Sequence, residues 1–216
     1  MGLFDTILGR TKPVQSNLDA LFALPSASIT LQSAAGQSCS GHAGVCFKPP
    51  SGQGFEEMQS EVVKLLAMDG GTGFRKAEDS YGYQWLVIED ADIEQLVTQI
   101  HLVNSSLSDA GWGPQLLCSV FGLADLPAED PAAPPEGGAG AGLPMPEPTA
   151  GPGRVIPSTA YLVYLFKRGT FYPFVPDGHE HRDLERELKL KSLVADDLTV
   201  ESDLDRWFPL WDLPVG

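Results

Sequence analysis

Apolar residues along this chain follow two rhythms, and the clearer one has a period of two. In Tyr161 to Pro176, YLVYLFKRGTFYPFVP, Tyr161, Val163 and Leu165 share one face while Leu162, Tyr164 and Phe166 share the other. Both faces are apolar or aromatic, so the pattern predicts a strand over 160–167 covered on both sides. Arg168-Gly169 forms the turn, with Gly169 supplying positive φ, and 170–176 returns. Pro173 lacks a ladder donor, which assigns the return strand to a sheet edge or bulge.

The second rhythm is helical. Ile93, Leu96, Val97, Ile100, Val103 and Leu107 make one stripe over Asp92 to Ser108, and Gly111 lies just beyond its end. Phe55, Met58, Val62, Leu65 and Leu66 make another over Phe55 to Met68. Weaker signals complete the reading. A helix starts at Ser16 and runs to about Ala23, where Pro25 ends it. Ile29 and Leu31 alternate with polar neighbours as in a strand, Gly36 to Gly44 reads as loop, and Val45 to Lys48 as the next strand. Further strands fall at 73–78, 83–89 and Gln115 to Phe121. A charged helix lies within His179 to Asp197, where Arg182/Arg186 and Glu185/Lys189 suit a solvated face with i,i+4 pairing. Hairpins alternating with helices over short connections give an α+β class: a mostly antiparallel sheet built from hairpin–helix units, with helices packed on it.

Composition changes this picture in one place. Residues 124–156 are rich in Pro, Gly, Ala and Glu and contain no aromatic residue. Such a stretch cannot bury enough apolar surface to offset its ordering entropy, so it reads as a disordered insertion. It sits between two strands, and long loops add little closure entropy. The expectation is therefore one α+β domain over 1–216, with the insertion inside it.

Charge narrows the function classes. The formal net charge is −15, which repels nucleic-acid phosphate and gains nothing from anionic lipid headgroups. No apolar run is long enough to span a bilayer, and the start lacks a signal peptide's pattern, so a cytoplasmic protein is expected. Gly2 to Leu8, GLFDTIL, is a short apolar stretch followed by Arg10 and Lys12. It reads as a short helix, as an end with Leu3, Phe4 and Ile7 packed down, or as a shallow contact with a membrane or partner; Gly2 and Thr6 also fit a short acylation pattern.

Motifs for catalysis and cofactors are missing. Cys39, Cys46 and Cys118 form no CxxC. A Cys39 or Cys46 thiol near His42 lacks an orienting third group. His179-Glu180-His181 lacks further ligands for a metal, and no phosphate-binding glycine loop or nucleophile elbow occurs. Neither catalytic residues, metal nor cofactor are expected. The carboxylates between 177 and 205 read as a solvated acidic face. Two surfaces stand out instead. Lys167-Arg168, with Tyr172 beside them, form a basic hairpin tip on an acidic protein, and Trp207 and Trp211 lie in an aromatic tail. These five are the candidate protein contacts. Asn104, in the middle of a helical stripe, together with Tyr83 and Tyr161, are candidate liners of a pocket between sheet and helices.

Several stretches carry a resemblance: GLFDTILGRTKPV at 2–14, LDALFALPSASITLQ at 18–32, GVCFKP at 44–49, YGYQWLV at 81–87, LVTQIHLVNSSLSDAGWGPQLLCSV at 96–120, YLVYLFKRGTFYPFVP at 161–176 and DRWFPLW at 205–211. In these the chain resembles the PspAB family of PspA-associated proteins. It departs from that family at 124–156, where a short turn is typical. The resemblance implies a non-enzymatic regulatory or adaptor protein of the phage-shock envelope-stress response. Its implied partner is PspA, a coiled-coil protein that assembles on stressed membranes, with any membrane contact peripheral. The alternative reading is a small-molecule or peptide sensor.

Overall fold

The computed structural model describes residues 16–48, 73–126, 159–178 and 180–216, together with helical residues 54, 56, 57, 60 and 62–64. The readings made for Gly2 to Leu8, for His179 and for 127–156 lie outside the described residues. Of the Phe55 to Met68 helix only a part is described, and there Val62 is fully buried while Glu56 and Glu57 are exposed.

Six strands form one antiparallel sheet: β1 (Gln37–Phe47), β2 (Gly73–Glu78), β3 (Gln84–Glu89), β4 (Leu116–Asp125), β5 (Ala160–Leu165) and β6 (Thr170–Phe174), in the order β2-β3-β1-β4-β5-β6. Helices α1 (Leu24–Ala35), α2 (Ile93–Leu107) and α3 (Leu184–Val194), with the partly described helix around 54–64, complete an α+β fold. Two units are hairpin then helix, β2–β3–α2 and β5–β6–α3; in the first part of the chain a single long strand, β1, stands where a hairpin was expected.

Of the predicted stripe of α2, Leu96, Val97, Ile100, Val103 and Leu107 are buried and Ile93 partly so, and Asp92 caps the helix by accepting from Glu94 N. Gly169 takes φ 68° in the β5–β6 turn, and its N–H closes the turn on Leu165 O. Pro173 lies in β6, the edge strand. That edge is partly covered: Phe171 N donates to Thr199 O and Glu201 N to Phe171 O, a short parallel bridge beside β6.

Three local readings change. Pro25 starts a helix instead of ending one: it sits in the first turn of α1, where a missing N–H costs no hydrogen bond. Leu24, Ala27 and Leu31 form the buried face of α1, and Ile29, read as a strand residue, is exposed. Gly36 to Gly44 belongs mostly to β1, and β1 is the centre of the sheet. Its small polar residues, QSCSGHAG, look like loop in sequence, but β4 pairs with Gln37 to Cys39 and again from Ala43 after a bulge, and β3 pairs from His42 onward. Finally, β4 continues through Ala124 and Asp125, two residues into the composition-biased stretch, with Leu123 opposite Ala160. Residues 126–159 thus connect two neighbouring antiparallel strands.

Both faces of the sheet are covered, by different means. On one, Ala43, Val45, Phe47, Leu86, Ile88, Phe121, Leu123, Leu162 and Tyr164 pack under the helices. On the other, Cys46, Trp85, Val87, Cys118, Val120, Tyr161, Val163, Tyr172 and Phe174 pack under Trp207 and Val215 of the irregular C-terminal tail. β5 is buried on both faces, as its two apolar sets predict.

Candidate functional site

The tail-covered face contains a concavity of about 840 Å³ at the end of the sheet where the β2–β3 and β5–β6 turns lie. Its floor is strand residues: Cys46, Trp85, Leu117, Cys118, Leu165 and Tyr172. Tyr81 and Tyr83 of the β2–β3 turn form one wall, and Phe208 to Trp211 of the tail form the other. Lys167 and Arg168 of the β5–β6 turn, with Arg206, form the rim.

Each wall has a local cause. In the β2–β3 turn the Asp79 carboxylate accepts from Tyr81 N (3.0 Å) and Tyr83 N (2.9 Å) through Oδ1, and from Trp85 Nε1 (2.9 Å) through Oδ2. Gly82 takes φ 81°, so the chain reverses and leaves both tyrosines exposed. The tail is held by polar pegs at intervals. Trp207 Nε1 donates to Glu201 O (3.1 Å), Tyr172 Oη to Phe208 O (2.8 Å), Arg182 Nη1 to Trp207 O (2.6 Å), Ser80 Oγ to Asp212 Oδ2 (2.8 Å) and Arg75 Nη2 to Pro214 O. Its last apolar contact fits a bare spot in β1: a Cβ on Gly44 would lie 2.8 Å from Val215 Cγ2 and 3.3 Å from Trp85 Cε3. Pegs separated by stretches without regular structure hold the tail down without sealing the surface beneath it, and the concavity is the part left open.

Charge at the rim is partly compensated. Arg168 pairs with Glu201, a carboxylate 1 % exposed that also accepts from Thr170 Oγ1 (3.0 Å) and Asp203 N (3.1 Å). Burial alone would raise the Glu201 pKa; the Arg168 guanidinium, the Asp203 N–H and the Thr170 hydroxyl together outweigh it and hold the carboxyl below its usual range. Arg206 pairs with Asp203 at 2.9 Å. Lys167 is exposed and has no ion pair among the described residues. Inside, the hydrogen bond to the Cys118 thiol, and then burial, push the Cys46 thiol far above its ordinary pKa, so it is protonated and a poor nucleophile. Cys46 and Cys118 stand directly opposite each other on β1 and β4.

Two separate sequence expectations meet here. Lys167, Arg168, Tyr172 and Trp211, read as protein contacts, and Tyr83, read as a pocket liner, border one concavity. Others move away. Tyr172 does not lie on the hairpin tip: strand alternation turns it onto the tail-covered face, where it is 1 % exposed and stacks on Trp207 at 5.9 Å. Trp207 is a docked anchor, 4 % exposed, not a free handle. Asn104 is not among the residues that line this concavity. It is fully buried between α2 and β4, with Nδ2 donating to Ile100 O (2.8 Å) and Ser119 Oγ (2.9 Å). Tyr161 borders a separate cleft of about 170 Å³, also touched by Trp211.

The acidic face between 177 and 205 also changes. Glu187 is fully buried, and its carboxylate accepts from Val175 N (2.9 Å) and from Arg182 Nε and Nη2 (2.9 and 2.7 Å). Arg182 lies before α3 and pairs with Glu187, not across a solvated helix face, while Arg186 reaches Asp125 on β4. Through Arg182 and Glu187 the β6 edge, α3 and the tail are tied at one point. Sequence reasoning missed Asp79, Tyr81, Arg206 and Phe208; the one signal available was Tyr81-Gly82-Tyr83, two aromatic residues around a glycine that must sit at a turn.

Among the described residues no helix is long and apolar enough to cross a membrane. No curated protein and no solved structure matches the chain. The family model described as PspAB, PspA associated protein B, matches residues 1–215. Covering essentially the whole chain, that match makes this protein a member of the PspA associated protein B family.

Proposed function

We propose that this protein is a non-enzymatic adaptor of the phage-shock envelope-stress response that holds PspA, or a partner of PspA, in the aromatic concavity on the tail-covered face. The observation that carries this reading is the pairing of exposed Tyr81, Tyr83 and Phe208 with Lys167, which has no ion pair among the described residues, at one opening. Aromatic side chains anchor a partner's apolar groups at low entropy cost, and a lysine at the rim selects an acidic neighbour on the partner. Family membership supports the choice of partner. The test is pull-down of PspA with the wild type and with Lys167→Glu and Tyr83→Ala variants. Recovery should fall several-fold in each; equal recovery in both would remove the concavity from the proposal.

The volume of the concavity favours a second reading, a small-molecule or peptide sensor, because cavities of several hundred Å³ suit such ligands. A compound that raises the melting temperature of the wild type but not of Tyr83→Ala would support that reading.

A further inference from the structure

We infer that Cys46 and Cys118, in the floor of the aromatic concavity, are a redox-modification site: a dithiol that hydrogen peroxide converts to a cross-strand disulfide. The site itself stands apart from the adaptor reading; only its consequence for PspA rests on that reading. Both residues are free thiols and direct partners in the antiparallel β1–β4 ladder, so their side chains leave the same face of the sheet. Opposed residues of such a ladder have Cα atoms about 4.5–5.5 Å apart, inside the span of about 4.4–6.8 Å that a disulfide bridges. The ladder shifts register between Cys46 and Phe47, and an irregularity beside the pair gives the strands local freedom to twist. Both residues line the concavity, although only 3 % of Cys46 and 5 % of Cys118 is exposed. The opening therefore brings a small neutral oxidant to the sulfurs and keeps bulky reagents slow. Cys39 offers neither feature: it faces Leu123 across β4 and is not among the residues that line the concavity.

The hydrogen bond to Cys118, then burial, keep the Cys46 thiol protonated, so the first attack falls to Cys118. Its sulfur bonds to one peroxide oxygen as the O–O bond breaks. The thiol proton leaves with the other oxygen as water, and Cys118 becomes a sulfenic acid. Cys46, already in contact, then attacks that sulfur. The S–O bond breaks, the Cys46 proton leaves with the hydroxyl as a second water, and the disulfide closes. The two thiols have given up two electrons, and one peroxide has accepted them. The bridge acts on the concavity through β3. Cys46 stands opposite Trp85, whose Nε1 donates to the Asp79 carboxylate that holds Tyr81 N and Tyr83 N. Drawing the two sulfurs into a bond therefore displaces the floor beneath the tyrosine wall.

The experiment exposes the reduced full chain to hydrogen peroxide, quenches with catalase, unfolds the protein in urea and alkylates the remaining thiols before peptide mass spectrometry. The expected product is alkylated on Cys39 alone and links the peptides that carry Cys46 and Cys118. After dithiothreitol all three cysteines are alkylated. Full alkylation after peroxide, a link through Cys39, or a Cys46–Cys118 link that forms no faster in the folded chain than in urea would overturn the inference. In Cys46→Ala, dimedone should trap the sulfenic acid on Cys118; a dimedone adduct in Cys118→Ala alone would overturn the assignment of the attacking sulfur. PspA recovery, measured after the peroxide is removed, separates this site from the adaptor proposal. It should fall several-fold in the oxidised wild type, return with dithiothreitol, and be unmoved by peroxide in Cys118→Ala. A bridge that forms while recovery is indifferent to Tyr83→Ala and Lys167→Glu would sink the adaptor site and leave the redox site standing. A bridge that leaves recovery unchanged, in a protein still sensitive to Tyr83→Ala, would sink the coupling between them.

Discussion

The two faces of the sheet are buried to a similar depth by different kinds of cover, and the concavity of about 840 Å³ lies on the tail-covered one. Over the helix-covered face, regular helices bury apolar residues such as Leu24, Leu31, Val62, Leu96, Ile100 and Leu190 in one core with the sheet. Asn104 Nδ2 donates to Ser119 Oγ within that layer, pinning α2 to β4. Over the other face lies a tail with no strand and only a single 3₁₀ turn, at Leu204–Arg206. It compensates with aromatic bulk and with pegs from Tyr172, Arg182, Ser80 and Arg75 to tail oxygens. An irregular backbone must find partners for its own polar groups one at a time, so it covers the sheet in spots. The lesson is that a site can arise where cover is weakest, not where sequence chemistry is richest.

The largest effect should come from the point that joins both covers. Glu187→Ala leaves Arg182 buried without its carboxylate and frees Val175 N, so the loss should be about 3–5 kcal/mol. Urea unfolding checks this, and a loss below about 1 kcal/mol would show that the tail and α3 are not tied through that pair. Next, Gly44→Val puts side-chain atoms where Val215 and Trp85 already sit. It should cost about 1–3 kcal/mol and make Cys46 and Cys118 faster to react with a thiol reagent. A thiol rate unchanged from wild type would mean that Val215 does not hold the tail down.

A third prediction uses pH. Burial holds the phenols of Tyr161 and Tyr172 above their ordinary pKa, and burial, then the Asp19 charge, push Tyr164 up to about 12. A folded-state pKa raised above the unfolded value means that the unfolded chain loses protons first as pH rises. The Tyr164 contribution is fully present below about pH 10 and is lost between there and about pH 12. At the acid end Glu201 and Asp197 are held low, the first by Arg168, Asp203 N–H and Thr170 against its burial, the second by the Thr30 and Ser26 hydroxyls. Their contribution is present above the ordinary carboxylate range and declines as pH falls through the lowered values. Melting temperature measured across pH should decline at both ends, and the alkaline decline should be smaller in Tyr164→Phe.

The smallest effect on stability sharpens the contrast most. Tyr83 is 38 % exposed, so Tyr83→Ala should change the unfolding free energy by less than about 1 kcal/mol while lowering PspA recovery. Phe121→Ala, on the helix-covered face, should do the reverse: about 3–5 kcal/mol of stability lost, with binding per folded molecule unaffected.

Much of the frame was legible along the chain. Alternation of two apolar sets in Tyr161–Phe166, the positive-φ demand at Gly169, the edge position of Pro173 and the stripe of α2 are local consequences of covalent geometry and burial. So was the presence of a connection, at 126–159, between adjacent strands. Other features were not legible, for physical reasons. Pro25 suits a helix start as well as a stop, and only packing of Leu24, Ala27 and Leu31 selects the first. The middle of β1 carries too little side-chain signal to mark a strand, and becomes one because β4 pairs on either side of its bulge and β3 pairs from His42 onward. Glu187 and Glu201 look like any exposed carboxylate until an arginine from elsewhere is brought beside them.

By itself, then, the sequence determined the elements with a regular apolar period, the acidic balance, and the family to which the chain belongs. The tertiary structure alone decided the strand order, the burial of two carboxylates, and the meeting of Tyr83, Lys167, Arg168, Tyr172 and Trp211 around one opening. Those five come from three separate segments of the chain, and no local rule relates residues that only a sheet and a returning tail place within reach of each other.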